Sequence, residues 1–166
     1  MIAEMREEMQ AALSAVLGRE VAISEPVLLA GGASKEAWAV DADGERLLVR
    51  RAAASVMHAH TLTLAHEFEV LQAAHEAGVT VPRPYGYVPE LAGREAFVME
   101  RLDGETIGRR IVQKPELAAA RARLPVQMAE ELARIHAIPT ERLPFLPEAR
   151  LERMTRNPEQ TRSRCH

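Results

Sequence analysis

Residues 28–51 read LLAGGASKEAWAVDADGERLLVRR. Gly31-Gly32 is a turn signal, because glycine reaches backbone conformations closed to other residues. Glu36–Asp41 reads as a strand carrying Trp38 and Val40, and Asp43-Gly44 is a strong two-residue hairpin signal. Arg46–Arg51 is the return strand, and Val21–Ile23 and Val27–Ala30 precede it as extended segments. The segment is an antiparallel meander, and in its last strand Leu48 and Arg50 share one face while Val49 and Arg51 share the other.

Helices flank the meander. Ile2, Met5, Met9, Leu13, Val16 and Leu17 recur at helical spacing, and Gly18 reads as a stop. Leu64, Phe68, Leu71 and Ala74 mark a second helix near 62–77, ended by Gly78. Val79–Tyr87, with Pro82 and Pro84, reads as a connector into a short strand, Glu90–Arg94 as a turn and Ala96–Arg101 as a strand. Beyond Asp103-Gly104 the spacing predicts two helical pieces, one opened by Pro115 and one by Pro125. The order is helix, three strands, helix, two strands, then helices, an α+β pattern. Residues 150–166 are rich in Arg and poor in apolar residues, and are expected to be disordered.

The bulk properties exclude several classes. A chain of 166 residues fits one domain, or one lobe and part of another, and an apolar fraction of 47% suffices for a core. The net charge of -3 gives no general attraction to nucleic acid or an anionic membrane. No apolar run approaches the roughly 20 residues of a membrane-spanning helix, and Met1–Gln10 has no signal-peptide pattern. Cys165 is the only cysteine, which fits a reducing cytoplasm. Only Lys35 and Lys114 are lysines among 21 Lys and Arg residues. His58, His60, His66 and His75 lack a converging carboxylate or cysteine motif, so no metal site is expected.

Five segments stand in a telling order: LLAGGASKEAWAV (28–40), LLVRR (47–51), HEFEVLQAAHEAGVTVPRPYGY (66–87), FVMERLDGETI (97–107) and LARIHAIP (132–139). Together they resemble the phosphotransferase family that contains aminoglycoside kinases, choline kinases and the kinase-like domains fused to some acyl-CoA dehydrogenases. The resemblance implies a protein-kinase-like N-lobe over 1–102, a five-stranded antiparallel sheet plus helix. It also implies the start of a helical C-lobe over 103–149, with 150–166 as a tail.

It implies roles too. Gly31, Gly32, Ala33 and Ser34 would cover nucleotide phosphates through backbone N–H groups, with Lys35 where the family often has Asn. LLVR aligns with the kinase VAIK strand, which puts Arg50 at the phosphate-anchoring lysine position; a slip of one residue would put Arg51 there. Otherwise Arg51 points away, and its removal is expected to do little to nucleotide binding. Glu67, rather than Glu69, would pair with Arg50, and Met99, Glu100, Arg101 and Leu102 would form the adenine-binding hinge.

The resemblance implies ATP, or another nucleoside triphosphate, with Mg2+, and a small-molecule hydroxyl acceptor in a full-length parent. The family's catalytic loop follows the LARIHAI helix, yet no His here precedes Gly-Asp or Arg-Asp. The expectation is a fragment lacking base and metal ligands, with no catalytic residue of its own and no activity by itself. The alternative expectation is a non-catalytic kinase-like module that binds a nucleotide or a partner. Self-association through the face the missing lobe would cover is a further expectation.

Overall fold

The computed structural model describes residues 2–29, 35–53 and 62–146. Helix α1 (Ile2–Leu17) leads into β1 (Val27–Leu28), β2 (Lys35–Ala42) and β3 (Glu45–Ala52). Helix α2 (Leu64–Glu76), β4 (Pro84–Leu91) and β5 (Arg94–Glu100) follow. Helices α3 (Gly108–Gln113) and α4 (Ala118–His136) come last, with 3-10 turns at Pro115–Leu117 and Thr140–Arg142. The strands form one five-stranded antiparallel sheet in the order β1-β2-β3-β5-β4. This is the expected α+β sheet.

Two tight turns set its register. Asp43 and Gly44 have φ 49° and 87°, and Ala92 and Gly93 have φ 49° and 76°. Positive φ at both central residues matches the twist of flanking strands. Asp43 also holds its turn from outside: its carboxylate accepts from Ala22 N–H at 3.1 Å and from Arg19 at 2.6 Å. These bonds, the backbone one first, keep the Asp43 carboxyl below its ordinary range.

The core lies between α1 and one sheet face. Met9, Leu13, Val40, Leu47, Val49, Leu91 and Val98 are buried there. Each such side chain contributes about 1.5–3 kcal/mol on leaving water. Gly86 lets the two layers close, because a Cβ there would stand 2.9 Å from the Val16 side chain. The second face carries α2, whose Phe68 ring meets Phe97 at 5.8 Å and Tyr87 at 6.4 Å.

Three expected elements differ. Residues 21–29 contribute only the two-residue β1 and an isolated bridge from Ile23 to Ala42. The strand expected to be short, β4, runs for eight residues at the sheet edge, where Pro84 and Pro89 are tolerated. Pro125 opens no second helix, because α4 runs through it from Ala118 to His136. One missing backbone N–H is outweighed by the helix-forming run Val126–His136 that follows. Residues 147–166, including the tail, lie outside the described residues.

Candidate functional site

Strand alternation divides β3 between two environments. Leu47, Val49 and Arg51 turn toward α1 and are buried, whereas Leu48 and Arg50 turn toward α2 and are half-buried. Arg50 pairs in register with Ala37 on β2 and Phe97 on β5, so it stands mid-sheet on the α2 face.

Helix α2 brings the acid. Thr63 caps the helix by accepting from His66 N–H at 3.1 Å, which fixes the first turn. Glu67 lies in that turn, where the helix dipole favours negative charge. Its Oε2 is 3.2 Å from Arg50 Nε, an ion-pair contact without hydrogen-bond alignment. Arg50 and Glu67 are thus brought together as the kinase-like pattern requires.

The pair borders a cavity of about 630 Å³ whose lining is otherwise apolar except for Thr140. Phe97, Met99, Val70 and Leu71 line it from the sheet and α2, and Leu143 and Leu146 line it from beyond α4. Among the described residues Arg50 is the one cation on this wall, with a side chain 39% exposed. A partly solvated guanidinium at the rim of an apolar cavity can receive an anionic group while the cavity takes an apolar or planar one.

Sequence reasoning did not anticipate Lys35 as part of this site. It opens β2 rather than sitting in the preceding loop, and its ammonium pairs with Glu67 Oε1. The side chain is 7% exposed. Burial and then the nearby Arg50 charge lower its pKa, with Glu95 opposing them. A signal existed in the composition: one of only two lysines in an arginine-rich chain directly follows the glycine loop.

The hinge residues separate. Met99 joins the cavity, but Glu100 ends β5 with its carboxylate accepting from Arg83 N–H at 3.2 Å. Arg101 N–H donates to the Arg46 carbonyl at 3.0 Å, and its guanidinium holds Asp41 at 2.7 Å. Leu102 is exposed. Arg46 grips Asp103 through both guanidinium nitrogens, which fastens the exit of β5 to β3. Gly31, Gly32, Ala33 and Ser34 lie outside the described residues, as do His58 and His60. Among the described residues no three His, Cys, Asp or Glu side chains converge on a metal position.

Arg51 points away from Arg50, as the alternation of the strand requires. It is no spare cation at a strand end but is 5% exposed. Its Nε donates to the Leu91 carbonyl at 2.9 Å, one terminal nitrogen to the Ala92 carbonyl at 2.7 Å and the other to Glu36 at 2.8 Å. The side chain ties β2, β3 and the β4–β5 turn together.

A family model described as the phosphotransferase enzyme family matches residues 26–166. No curated protein sequence matches the chain. One similar solved structure is that of a protein provisionally designated an aminoglycoside phosphotransferase, from Ralstonia eutropha JMP134. It shares 18% identity at a TM-score of 0.49, over 61% of this chain and 29% of that one. The chain therefore spans less than a third of that protein's length.

Proposed function

The chain belongs to the phosphotransferase enzyme family, and from that premise we propose that it forms the nucleotide-binding part of a kinase-like enzyme. That enzyme would move a phosphoryl group from ATP, or another nucleoside triphosphate, to a hydroxyl of a small molecule. The observation that carries this reading is the 3.2 Å contact between Arg50 and Glu67 at the mouth of an apolar cavity.

In this reading Arg50 holds the nucleotide phosphates and Glu67 orients its guanidinium, leaving the solvent edge for the ligand. Residues 31–34 cover the phosphates with backbone N–H groups. Met99 borders the base, and the backbone of Glu100, Arg101 and Leu102 meets its edge. The division between nucleotide-binding and helical parts falls after residue 102. Magnesium, which the family resemblance implies, would be held by residues other than the described ones. The sequence contains no His-Gly-Asp or His-Arg-Asp, and in this reading the general base is not among these residues. Binding, and not transfer, is therefore the activity expected of these 166 residues.

Calorimetric titration of the chain with ATP tests the reading. Wild type should bind, and Arg50→Ala should bind about ten- to a hundredfold more weakly, as expected for loss of a charge-assisted contact. Arg50→Lys should fall between them, since it keeps the charge and loses the fork. Equal affinity across the three would remove the phosphate role from this strand.

A further inference from the structure

Glu67 is a single carboxylate shared by two cations on neighbouring strands. Oε2 faces Arg50 on β3, and Oε1 is taken by Lys35 on β2. The two cations differ in what they can reach. The Lys35 side chain is 7% exposed and the Arg50 side chain 39%, so an incoming anion meets the arginine and not the lysine. Lys35 is nonetheless a buried charge, and burying a charge without use is costly. Its position adds a second connection, because it directly follows residues 31–34 and its partner sits in the first turn of α2.

We propose that Lys35 is a positioning residue that clamps Glu67 so that the carboxylate holds Arg50 with its solvent edge turned outward. Glu67 is itself partly buried, with a side chain 23% exposed. Without Lys35 one of its oxygens loses its partner, and the whole carboxylate is free to turn onto Arg50. The guanidinium is then drawn toward the helix and away from the cavity mouth. Glu95 acts on Lys35 only through space, its carboxylate being held by the Tyr87 hydroxyl at 2.9 Å.

This inference rests on the nucleotide reading for its consequence, but not for its geometry, and two measurements on the 166-residue chain separate them. The first needs no ligand: nitrogen–proton spectra record the Arg50 Nε–H signal, identified by its loss in Arg50→Lys. Lys35→Met should shift or broaden that signal, and Lys35→Arg, which can still grip a carboxylate, should largely restore it. Should Lys35→Met not fold, as circular dichroism would show, Lys35→Gln takes its place.

The second is titration with ATP. Lys35→Met should weaken binding about three- to tenfold, yet change it less than about twofold in a Glu67→Gln background, because residues acting through one another are not additive. An unmoved Arg50 signal overturns the proposal. So does an affinity loss of equal size in both backgrounds, which would make the lysine a merely structural residue. A wild-type chain that binds no ATP overturns the nucleotide reading instead, and the ligand-free spectra still decide the role of Lys35.

Discussion

Arg50 and Arg51 are adjacent in sequence and lie on opposite faces of the same sheet. On the α1 face Arg51 is enclosed, and its three donors end on Glu36, Leu91 and Ala92. On the α2 face Arg50 is half open, with Glu67 beside it and a cavity in front. The difference comes from what covers each face. Helix α1 buries Met9 and Leu13 completely against one side, whereas α2 and the segment after α4 line a cavity of about 630 Å³ on the other. One face encloses its arginine and the other leaves its arginine beside a cavity, and a period of two residues decides which arginine lies where.

The largest test of this contrast is the pair itself. Arg51→Ala should cost about 3–5 kcal/mol, because it empties an enclosed position, takes a cation from the part-buried Glu36 carboxylate and leaves two backbone carbonyls without their donor. Thermal or urea unfolding would read that loss. Arg50→Ala should leave stability within about 0.5 kcal/mol of wild type, as expected for a half-exposed side chain whose partner Glu67 keeps Lys35. Comparable losses in both variants would mean that the open face is structural too.

This pair also marks how far the sequence could be read. Alternation alone said that the two arginines point apart, and Asp43-Gly44 fixed which strand they lie on. It could not say which face would be sealed, since both helices carry apolar stripes. The acceptors of Arg51 come from positions 15, 40 and 41 residues away, so nothing local announces its burial. The pairing of Lys35 with Glu67 was not legible for the same reason, its carboxylate lying 32 residues further on. The choice of Glu67 over Glu69 was legible, because the pattern around Phe68 placed it, and Glu67 does meet Arg50. The hinge was legible as a strand end only. Side chains there are held by Asp41, Arg46 and Arg83, contacts set by the register of three strands.

Packing gives the next test. Leu13→Ala empties a fully buried site on the closed face and should cost about 2–5 kcal/mol. Leu71→Ala, on the wall of the existing cavity, should cost distinctly less, because the side chain already lacks neighbours on one side. Urea midpoints of the two variants compare them directly. A reversal would show that the cavity wall, not the α1 layer, carries the fold.

Charge on the closed face can be titrated. Burial pushes the Glu36 carboxyl up, but hydrogen bonds from Trp38 and Arg51 and the charges of Arg51 and Arg94 outweigh it, so the group titrates below its ordinary value. A carboxyl depressed in the folded state adds stability above its ordinary range and loses it as the pH falls through the folded value. Glu36→Gln should therefore be less stable than wild type at neutral pH. The gap should close as the pH is lowered from about 5 to about 3. A gap independent of pH would assign the effect of Glu36 to shape and not to charge.

The smallest effect should come from the pair that looks strongest on paper. Arg46 grips Asp103 with both terminal nitrogens, and the contact, hydrogen bond first, holds the Asp103 carboxyl below its ordinary range. Yet the side chains are 44% and 78% exposed, and water competes for every donor. Holding two long side chains in one geometry also costs rotamer entropy, which offsets most of the attraction at an exposed site. Asp103→Asn should move the melting temperature by no more than about 2 °C. The difference should vanish in about 1 M salt, where charges are screened within about 3 Å. Arg51→Ala should stay damaging at the same salt concentration, because its bonds to Leu91 and Ala92 are neutral at the acceptor and sealed from ions. If Asp103→Asn proved costly and salt-independent, the exit of β5 would be a structural anchor like the α1 face, and openness to solvent would not distinguish the two faces of the sheet.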